Sequence, residues 1–185
     1  MIICLLKSRG DSPSGGGDSM ELMYLMAITA AQESIYLSSA YFVPDELSIN
    51  ALTAAAKRGV KISIITPGKH IDTDLVRKAS RASWGAMLAA DIQIAEYSPT
   101  MYHCKILIID SLFVSVGSTN FDNRSFRLND EANLNVIDKA FAKELISSFN
   151  DDWSKSHLIT LKEWSQRPWR DKLLERVSLL FKSQL

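Results

Sequence analysis

The chain has 185 residues, of which 46% are hydrophobic and 23% charged, enough apolar side chains for the core of one globular domain. Basic and acidic residues number 21 each, so the formal net charge is zero. This balance argues against a protein that holds duplex nucleic acid on a basic face spread over its whole surface, although a local basic site stays open. Cys4 and Cys104 form neither a CxxC nor a His-Cys pattern, which argues against a disulfide scaffold and a structural zinc site.

No stretch of the whole chain approaches the roughly 18 apolar residues that a membrane-spanning helix needs.

The N-terminal third opens with a strand and a loop. Residues 1–7 are apolar but lack a basic leading segment, so they predict a first strand rather than a signal peptide. Residues 8–18 are rich in Gly and Ser and predict a flexible loop. A helix at 19–31 and a strand at 34–38 follow from their apolar spacing.

Helical and strand patterns alternate from Tyr41 onward. The segment Tyr41-Phe-Val-Pro-Asp-Glu46 predicts a turn into a helix that Asp45 caps and that ends before Gly59. Beyond it, we predict strands at 60–67, 92–97, 105–110, 112–116 and 132–137, and helices at 72–90 and 138–153. This alternation predicts an α/β layered fold with a mixed sheet, and the adjacent strands around Ser111 predict a hairpin within it.

The C-terminal segment differs from the rest in its pattern. One helical face carries large apolar residues, namely Trp169, Leu173, Leu174, Val177, Leu180 and Phe181. The other faces carry the basic residues Arg170, Lys172, Arg176 and Lys182. This pattern is typical of an interfacial membrane helix, but an ordinary helix docked on the domain would share it. The predicted organisation is an N-terminal strand and loop at 1–18, a domain at 19–156 and an amphipathic tail at 157–185.

Four residues in the middle of the chain predict a functional site. His103 and Lys105 stand two apart at the start of a strand, so their side chains project from the same side. Ser118 and Asn120 lie in a glycine-containing loop after the next strand, where loops of an α/β sheet commonly form sites. We expect these side chains to face one site.

Such a site suits the chemistry of a phosphate ester. The ammonium of Lys105 and the amide of Asn120 supply positive charge and donors for non-bridging oxygens. The imidazole of His103 can attack phosphorus or move a proton near neutral pH, and Glu131 is the candidate to hold its other ring nitrogen. We expect no cofactor and no metal, because Asp, Glu and His clusters with the ligand spacing of a two-metal phosphoesterase do not occur in this segment.

The pattern H-x-K-x4-D-x6-G-S-x-N, from His103 to Asn120, resembles the HKD signature of the phospholipase D superfamily. Its extension to Glu131 is similar to the second motif of bacterial cardiolipin synthases. Residues 41–46 are similar to a segment that those enzymes carry after an early strand of their C-terminal half. The resemblance covers about residues 15–181 and implies a phospholipase D-like α-β-α sandwich with a mixed sheet.

The resemblance also implies a two-step phosphatidyl transfer at a site built from two HKD motifs. One histidine attacks phosphatidylglycerol to give a phosphohistidine, the other protonates the leaving alcohol, and a second phosphatidylglycerol then attacks to give cardiolipin. His103 would belong to the second motif, and motif order favours it as the acid and base. The implied catalytic set is His103, Lys105, Asp110, Ser118, Asn120 and Glu131, and the implied substrate-binding set is Lys105, Asn120 and Arg124.

The sequence departs from the family pattern in two places. Only one HKD motif is found, because neither His70 nor His157 has a Lys two residues later. We therefore expect either two chains paired so that their His103 residues face each other across a twofold axis, or a truncated product lacking an N-terminal partner half. The smaller departure is Ser111, where the family often has Gly.

Three functions stay open for this sequence. The favoured one is a cardiolipin synthase, or its C-terminal half, as a peripheral protein of the bacterial cytoplasmic membrane. A dimeric HKD phosphodiesterase or nuclease is less favoured, because the extended motif and the neutral charge do not favour nucleic acid, and an inactive truncated remnant is the third. A basic run on one helix, formed by Arg77, Lys78 and Arg81, could steer an anionic head group or could be a solvated face. Two aromatic residues, Tyr41 and Phe42, could contact acyl chains or could belong to the core.

Overall fold

A computed structural model describes residues 1–8 and 18–179 of the chain. The strands are β1 (Ile2–Ser8), β2 (Ser34–Ser39), β3 (Phe42–Val43), β4 (Lys61–Pro67), β5 (Gln93–Tyr97), β6 (Lys105–Ile109), β7 (Phe113–Gly117), β8 (Phe121–Asp122), β9 (Glu131–Ile137) and β10 (Ser156–Ile159). The helices are α1 (Asp18–Ala30), α2 (Glu46–Lys57), α3 (Asp74–Ser83), α4 (Gly85–Ala89), α5 (Asn123–Arg127), α6 (Lys139–Ser154), α7 (Leu161–Gln166) and α8 (Trp169–Leu179). Most of the predicted loop at 8–18 lies outside the described residues. Leu180 and Phe181 of the predicted apolar face also lie outside them.

Eight of these strands form one mixed sheet in the order β1-β9-β7-β6-β2-β4-β5-β10. Strands β2, β4 and β5 run parallel to one another, and every other pairing in this sheet is antiparallel. Strands β6 and β7 form the predicted hairpin, with Asp110 and Ser111 both at a φ of 51° in its turn. The predicted mixed α/β sheet is confirmed.

Helices cover both faces of the central strands. Leu107 and Ile109 of β6 pack into the large core cluster beneath α1, α2 and α4, whereas Ile108 packs into the cluster beneath α6. Because both faces of β6 are buried, its sequence is a continuous apolar run rather than an alternating one. The packing therefore gives the three layers that the α-β-α prediction requires.

One predicted helix, at 72–90, is wrong as a single element, because it breaks at Trp84 into α3 and α4. The Trp84 side chain is fully buried and its Nε1 donates to Ser80 Oγ at 3.1 Å. A side chain at Gly85 would collide with the indole of Trp164, so the close approach of α7 requires glycine there. Tertiary packing of two tryptophans thus sets a break that the apolar spacing does not predict.

The C-terminal segment begins inside the sheet and ends on the surface of α3. Strand β10, which the sequence did not predict, pairs with β5 and contains the predicted boundary between residues 156 and 157. The α8 helix buries Glu175, which accepts from Arg167 Nε at 2.6 Å and lies 3.5 Å from Arg81 Nε. Its apolar side chains point outward, with Trp169 69% exposed. Within the described ranges, no helix is long and apolar enough to cross a membrane.

Candidate active site

The predicted site lies at one edge of the sheet, where strands of opposite direction meet. Ser39, the last residue of β2, pairs with Lys105, the first residue of β6. Gly117, the last residue of β7, pairs with Asn133 near the start of β9. Because neighbouring strands alternate in direction here, the residues before β6 and after β2 and β7 are brought together at this edge. This topology places His103 beside the loop that contains Asn120.

A short parallel sheet of β3 and β8 joins the 41–46 segment to the motif loop. Asn120 Oδ1 accepts a hydrogen bond from the backbone N of Tyr41 at 3.2 Å. The backbone N of Phe121 donates to the Tyr41 carbonyl at 3.1 Å and to Ser39 Oγ at 2.9 Å. The sequence prediction treated the 41–46 segment only as a turn, because a two-residue strand has no period to detect. In the structure this segment fixes the position of the Asn120 amide.

The glycine and serine of the motif hold the loop against β9. A side chain at Gly117 would collide with the carbonyl of Ala132, which explains why this position requires glycine. Ser118 Oγ accepts from the backbone N of Ala132 at 3.0 Å, and its own N donates to the Ala132 carbonyl at 3.1 Å. Thr119 Oγ1 donates to the buried Asn133 side chain at 2.9 Å. Ser118 therefore stabilises the loop next to the start of β9.

His103 and Lys105 face this edge, as predicted from their spacing. His103 is exposed, and its ring stands edge-on to the ring of Tyr41, with 6.4 Å between centroids. Lys105 is buried, and its Nζ donates to the carbonyl of His103 at 3.0 Å. Burial lowers the pKa of the Lys105 ammonium, and the negative charge of Glu131 opposes that shift. A cation held in this way beside an accessible imidazole is suited to a phosphate ester.

Glu131 lies near Lys105 rather than on the histidine ring. Its carboxylate is largely buried and accepts from Asn129 Nδ2 at 3.2 Å. Among the described residues, no hydrogen bond joins Glu131 to His103. Its electrostatic effect falls on Lys105, whose charged form it stabilises. The structure thus brings Glu131 to the site but not into the ring-orienting contact that the sequence analysis assigned to it.

Asp110 is not brought into this site, although it belongs to the predicted catalytic set. It follows the far end of β6, where its carboxylate accepts from the backbone N of Gln32 at 2.9 Å, Glu33 at 2.8 Å and Ser34 at 2.9 Å. Burial raises the pKa of Asp110, but these three backbone donors outweigh it and hold the pKa below its usual value. Asp110 therefore anchors the start of β2, at the opposite end of β6 from His103 and Lys105.

Asp122 lies within the extended motif, and no role is predicted for it from the sequence. Its side chain is 1% exposed, and its Oδ1 accepts from the backbone N of Ser125 at 2.7 Å, which caps α5. Its Oδ2 is buried without a hydrogen-bond partner among the described residues. Burial, with a smaller effect from the charge of Glu131, raises the pKa of Asp122 to about 7. The Asp-x-x-Ser spacing indicates a helix cap, but only the fold shows that this carboxyl is buried.

A polar cavity of about 340 Å³ opens beside these residues. Tyr41, Asn120 and Asp122 line it, together with the predicted substrate-binding residue Arg124, which is exposed. No group of three or more His, Cys, Asp or Glu side chains within the described parts of the chain is arranged to hold a metal ion.

The basic run on α3 is engaged in ion pairs, and its three residues line a cavity of about 230 Å³ together with Asp171 and Glu175. Arg77 donates to both carboxylate oxygens of Glu96 at 2.9 Å, and Arg81 donates to the same group at 3.0 Å. Lys78 pairs with Asp74 at 2.6 Å along the helix. Arg77 and Arg81 are therefore held by a largely buried carboxylate, whereas Lys78 lies in a solvent-exposed pair.

The remaining candidates also have other places in the fold. Phe42 is 1% exposed and belongs to the core, so it does not contact acyl chains. His70 is exposed, and His157 is an exposed residue whose Nε2 lies 3.0 Å from Glu163 Oε1. Neither histidine lies beside a lysine in an HKD arrangement.

Comparison with known proteins identifies the family. A family model described as "Cardiolipin synthase, PLD-like domain" matches residues 24–153 of the chain. The chain belongs to the phospholipase D superfamily. Cardiolipin synthase A of Erwinia tasmaniensis is 35% identical over 164 residues, and the minor cardiolipin synthase ClsB of Bacillus subtilis is 36% identical over 159 residues. These matches cover 89% and 86% of this chain but only 34% and 40% of the relatives, so the chain spans little more than a third of their length.

Solved structures of phospholipase D-like proteins share the fold. Nuc of Salmonella typhimurium, described as a phospholipase D family member, matches with a TM-score of 0.73 and 24% identity, over 86% of this chain and 98% of its own. Phosphatidylserine synthase of Haemophilus influenzae matches with a TM-score of 0.74 and 12% identity, over 99% of this chain and 47% of its own. The predicted phospholipase D fold is confirmed by these neighbours.

Proposed function

We propose that this phospholipase D domain supplies one half of an active site that forms cardiolipin from two molecules of phosphatidylglycerol. The observation that carries the proposal is the convergence of His103, Lys105 and Asn120 at one edge of the sheet. Relatives named cardiolipin synthase match about nine-tenths of the chain, which supports this substrate class over other phosphodiesters.

The chemistry needs a nucleophile, a proton donor and groups that bind the phosphate. In the first step an imidazole nitrogen bonds to phosphorus, the phosphorus–oxygen bond to glycerol breaks, and the second histidine gives the leaving oxygen its proton. In the second step that histidine takes the proton from a hydroxyl of another phosphatidylglycerol, whose oxygen displaces the imidazole. We assign the acid and base role to His103, and the phosphate-binding role to Lys105 and Asn120.

The nucleophilic histidine has to come from outside this motif. We propose that a second HKD motif faces His103, from another copy of the chain or from a further segment. The exposed position of His103 supports this, since a facing imidazole could approach it directly. A second candidate function is a phosphodiesterase made of two copies, which is supported by Nuc, where one unit of this fold makes up nearly a whole chain.

The test is a product assay with the chain and labelled phosphatidylglycerol in mixed micelles. If a second copy supplies the facing motif, we expect cardiolipin from the unmodified chain and none from His103→Ala, while the circular dichroism spectrum and melting temperature of the variant stay unchanged. An acid-labile phosphatidyl group on the protein would be expected during turnover. Comparable turnover by His103→Ala contradicts the proposal, and cleavage of DNA without any lipid product favours the second candidate.

We also propose that α8 contacts an anionic membrane surface, so that the domain acts as a peripheral protein of the bacterial cytoplasmic membrane. Trp169 is 69% exposed, Leu173 53% and Val177 44%, and they lie on one stripe of α8. The opposite stripe is held on α3 by Glu175, so docking does not cover the apolar side chains. Exposed aromatic and aliphatic residues beside basic ones are suited to the lipid interface.

Vesicle sedimentation tests the membrane contact. We expect Trp169→Ala combined with Leu173→Ala to weaken binding to phosphatidylglycerol vesicles about tenfold, because the apolar area available for burial falls. The matched control is Leu22→Ala with Met26→Ala on α1, two side chains that are 57% and 64% exposed. Equal loss of binding in both double variants contradicts a specific role for α8.

A further inference from the structure

A basic cavity of about 320 Å³ lies between α7 and α8, away from the candidate active site. Three of its six lining residues are cations and none is acidic: Ala82, Trp164, Ser165, Arg167, Lys172 and Arg176. Ala82 lies in the last turn of α3, whereas Thr73, at the beginning of that helix, lines the polar cavity beside Asn120. Nine residue steps of helix separate Thr73 from Ala82, a distance of roughly 14 Å. The basic cavity is therefore a separate place in the fold.

Arg167 is held in one position but keeps donors for a ligand. Its side chain is 10% exposed, its Nε donates to Glu175 at 2.6 Å and its Nη1 donates to the Trp164 carbonyl. The guanidinium also lies 3.9 Å from the centre of the Trp164 ring. Among the residues that the structure describes, no hydrogen bond uses Nη2, and the buried atoms without a partner do not include it, so it stays open to solvent. A fixed guanidinium with two unused N–H groups is a preorganised donor for an anion.

Lys172 and Arg176 bring two further charges from α8. They are four residues apart, so they lie one turn apart on the same face of the helix. Lys172 is half-buried, and its Nζ donates to the Ser165 carbonyl at 2.6 Å, which leaves two of its three N–H groups for a ligand. Arg176 is exposed, and its side chain has no ion pair or hydrogen bond within the described ranges. Like charges at this spacing destabilise a helix, and a bound anion would relieve that repulsion.

The carboxylates around the basic cavity do not neutralise its cations. Glu175 is buried, pairs with Arg167 and lies 3.5 Å from Arg81. Glu96 is shared by Arg81 and Arg77. Three guanidinium groups thus face two carboxylates, before the two cations of α8 are counted. The other acidic residue of α8 lines the neighbouring cavity of about 230 Å³ instead. An anion in the basic cavity would therefore meet an uncompensated positive charge.

A phosphate group suits this arrangement. Its oxygens accept several hydrogen bonds at once, and a guanidinium matches its geometry with two parallel N–H groups. The position of the cavity favours a lipid as the source of the phosphate. The exposed Leu173 lies one residue after Lys172 and three before Arg176, so the two cations border the exposed apolar stripe of α8. When such a stripe enters the lipid interface, the cations beside it lie at the level of the head groups.

We propose that the basic cavity between α7 and α8 is a binding site for a phosphate group, which Arg167, Lys172 and Arg176 hold together. The site binds an anion and carries out no chemistry, and it does not depend on the proposed phosphatidyl transfer. Where the phosphate belongs to an anionic lipid, the site adds a specific contact to the membrane contact proposed for α8. Only this lipid source rests on the proposed function.

Lys172→Gln combined with Arg176→Gln is the variant that removes the site. Glutamine keeps a long polar side chain and a good helix propensity but has no charge. The matched control is Lys162→Gln combined with Arg170→Gln, which removes the same charge from α7 and α8 at residues outside the cavity. Arg176→Glu is a second variant, because Arg176 is exposed and its exchange leaves the core intact. Melting temperatures show that each variant is folded.

Titration of the whole chain with inorganic phosphate tests the site without any membrane. In proton–nitrogen NMR spectra, the Nε1–H of Trp164 and the Nε–H of Arg167 report on the cavity, since both side chains line it. Chloride at equal ionic strength is the reference. We expect both signals to shift with one dissociation constant, which rises about tenfold in the cavity variants and stays unchanged in the control. No saturable shift, or equal weakening in the two double variants, overturns the site.

Sedimentation with phosphatidylglycerol vesicles distinguishes a lipid phosphate from a free one. Both double variants lose the same general attraction to an anionic surface, since each lacks two positive charges. We expect the cavity variant to bind about tenfold more weakly than the control variant. Equal binding by the two overturns the lipid as the source, and a cavity that still binds inorganic phosphate is then a site for a soluble phosphate compound. If not even the unmodified chain binds vesicles, the membrane contact of α8 is wrong, while the phosphate titration still decides the site.

Discussion

The two ends of strand β6 carry residues of the same sequence motif but serve different purposes. At the beginning of the strand, His103 is exposed and Lys105 is buried beside Glu131 at the edge where the motif loop arrives. Past its end, Asp110 accepts three backbone hydrogen bonds from the segment that begins β2. Asp110 lies five residue steps beyond Lys105 along the strand, a span of roughly 17 Å.

This difference separates what the chemistry requires from what the fold requires. In the proposed function the spacing of histidine and lysine serves the reaction, because both side chains project from the same side of the strand. The spacing from lysine to aspartate matches the length of β6, and it places Asp110 where its carboxylate can accept hydrogen bonds from the start of β2. Substitutions at the beginning of β6 should therefore change the rate of turnover, and substitutions past its end should change the free energy of unfolding.

Lys105→Met should have the largest effect of the substitutions in this comparison. The variant keeps an unbranched side chain in the buried place but removes the charge that is assigned to the phosphate. We expect turnover of phosphatidylglycerol to fall by about 10²–10³-fold, as for the loss of a preorganised electrostatic group. A kinetic assay on the folded variant measures this, with Lys155→Met on the protein surface as the control. A loss below about threefold contradicts the assignment of Lys105.

Asp110→Ala should affect stability and leave the rate per folded molecule unchanged. Loss of the carboxylate removes three charge-assisted hydrogen bonds, but water can reach two of the freed donors. We expect the free energy of unfolding to fall by about 2 kcal/mol. Denaturant titration measures it, with Asp151→Ala as a surface control that should cost about 0.5 kcal/mol or less. A slowed reaction in a fully folded variant would return Asp110 to the catalytic set.

The pH dependence of stability should identify Asp110 more specifically. Its pKa is lower in the folded protein than its usual value of about 4, so the unfolded state binds the proton more readily. The stabilisation is therefore complete above pH 4 and is lost as the pH falls through the folded pKa. We expect the stability difference between the protein and Asp110→Asn to shrink between pH 6 and pH 3. A difference that stays constant over this range contradicts the assigned contacts.

The elements with strong patterns could be predicted from the sequence, and those set by packing could not. The apolar run of β6, the cap at Asp45 and the positive φ of Gly59 follow from local rules, and the structure has each of them. The break at Trp84 depends on a tryptophan from a helix that is distant in the sequence. Strand β10 has only four residues, too few for alternation to distinguish it from a loop.

The same distinction applies to the site. Spacing was enough to bring His103, Lys105 and Asn120 to one edge, because it depends only on the period of a strand and on the direction of its neighbours. The partners of Asp110 and Glu131 depend on segments that pair from far away in the chain, and the motif could not identify them. The burial of Asp122 likewise depends on how its loop packs against the 41–46 segment.

Ser111→Gly should give the smallest effect, and it is the only one expected to increase stability. Ser111 has a φ of 51°, in the left-handed region where a side chain is disfavoured, and the turn ties Leu112 N to the Ile109 carbonyl at 3.0 Å. We expect a gain of about 0.5–1 kcal/mol in the free energy of unfolding, because the relief of strain exceeds the added entropy of the unfolded chain. Gly59→Ala is the reverse control, since its φ is 95° and nothing lies within 4 Å of the added carbon. It should cost about 1 kcal/mol, and a stability loss in Ser111→Gly would mean that the serine side chain itself stabilises the hairpin.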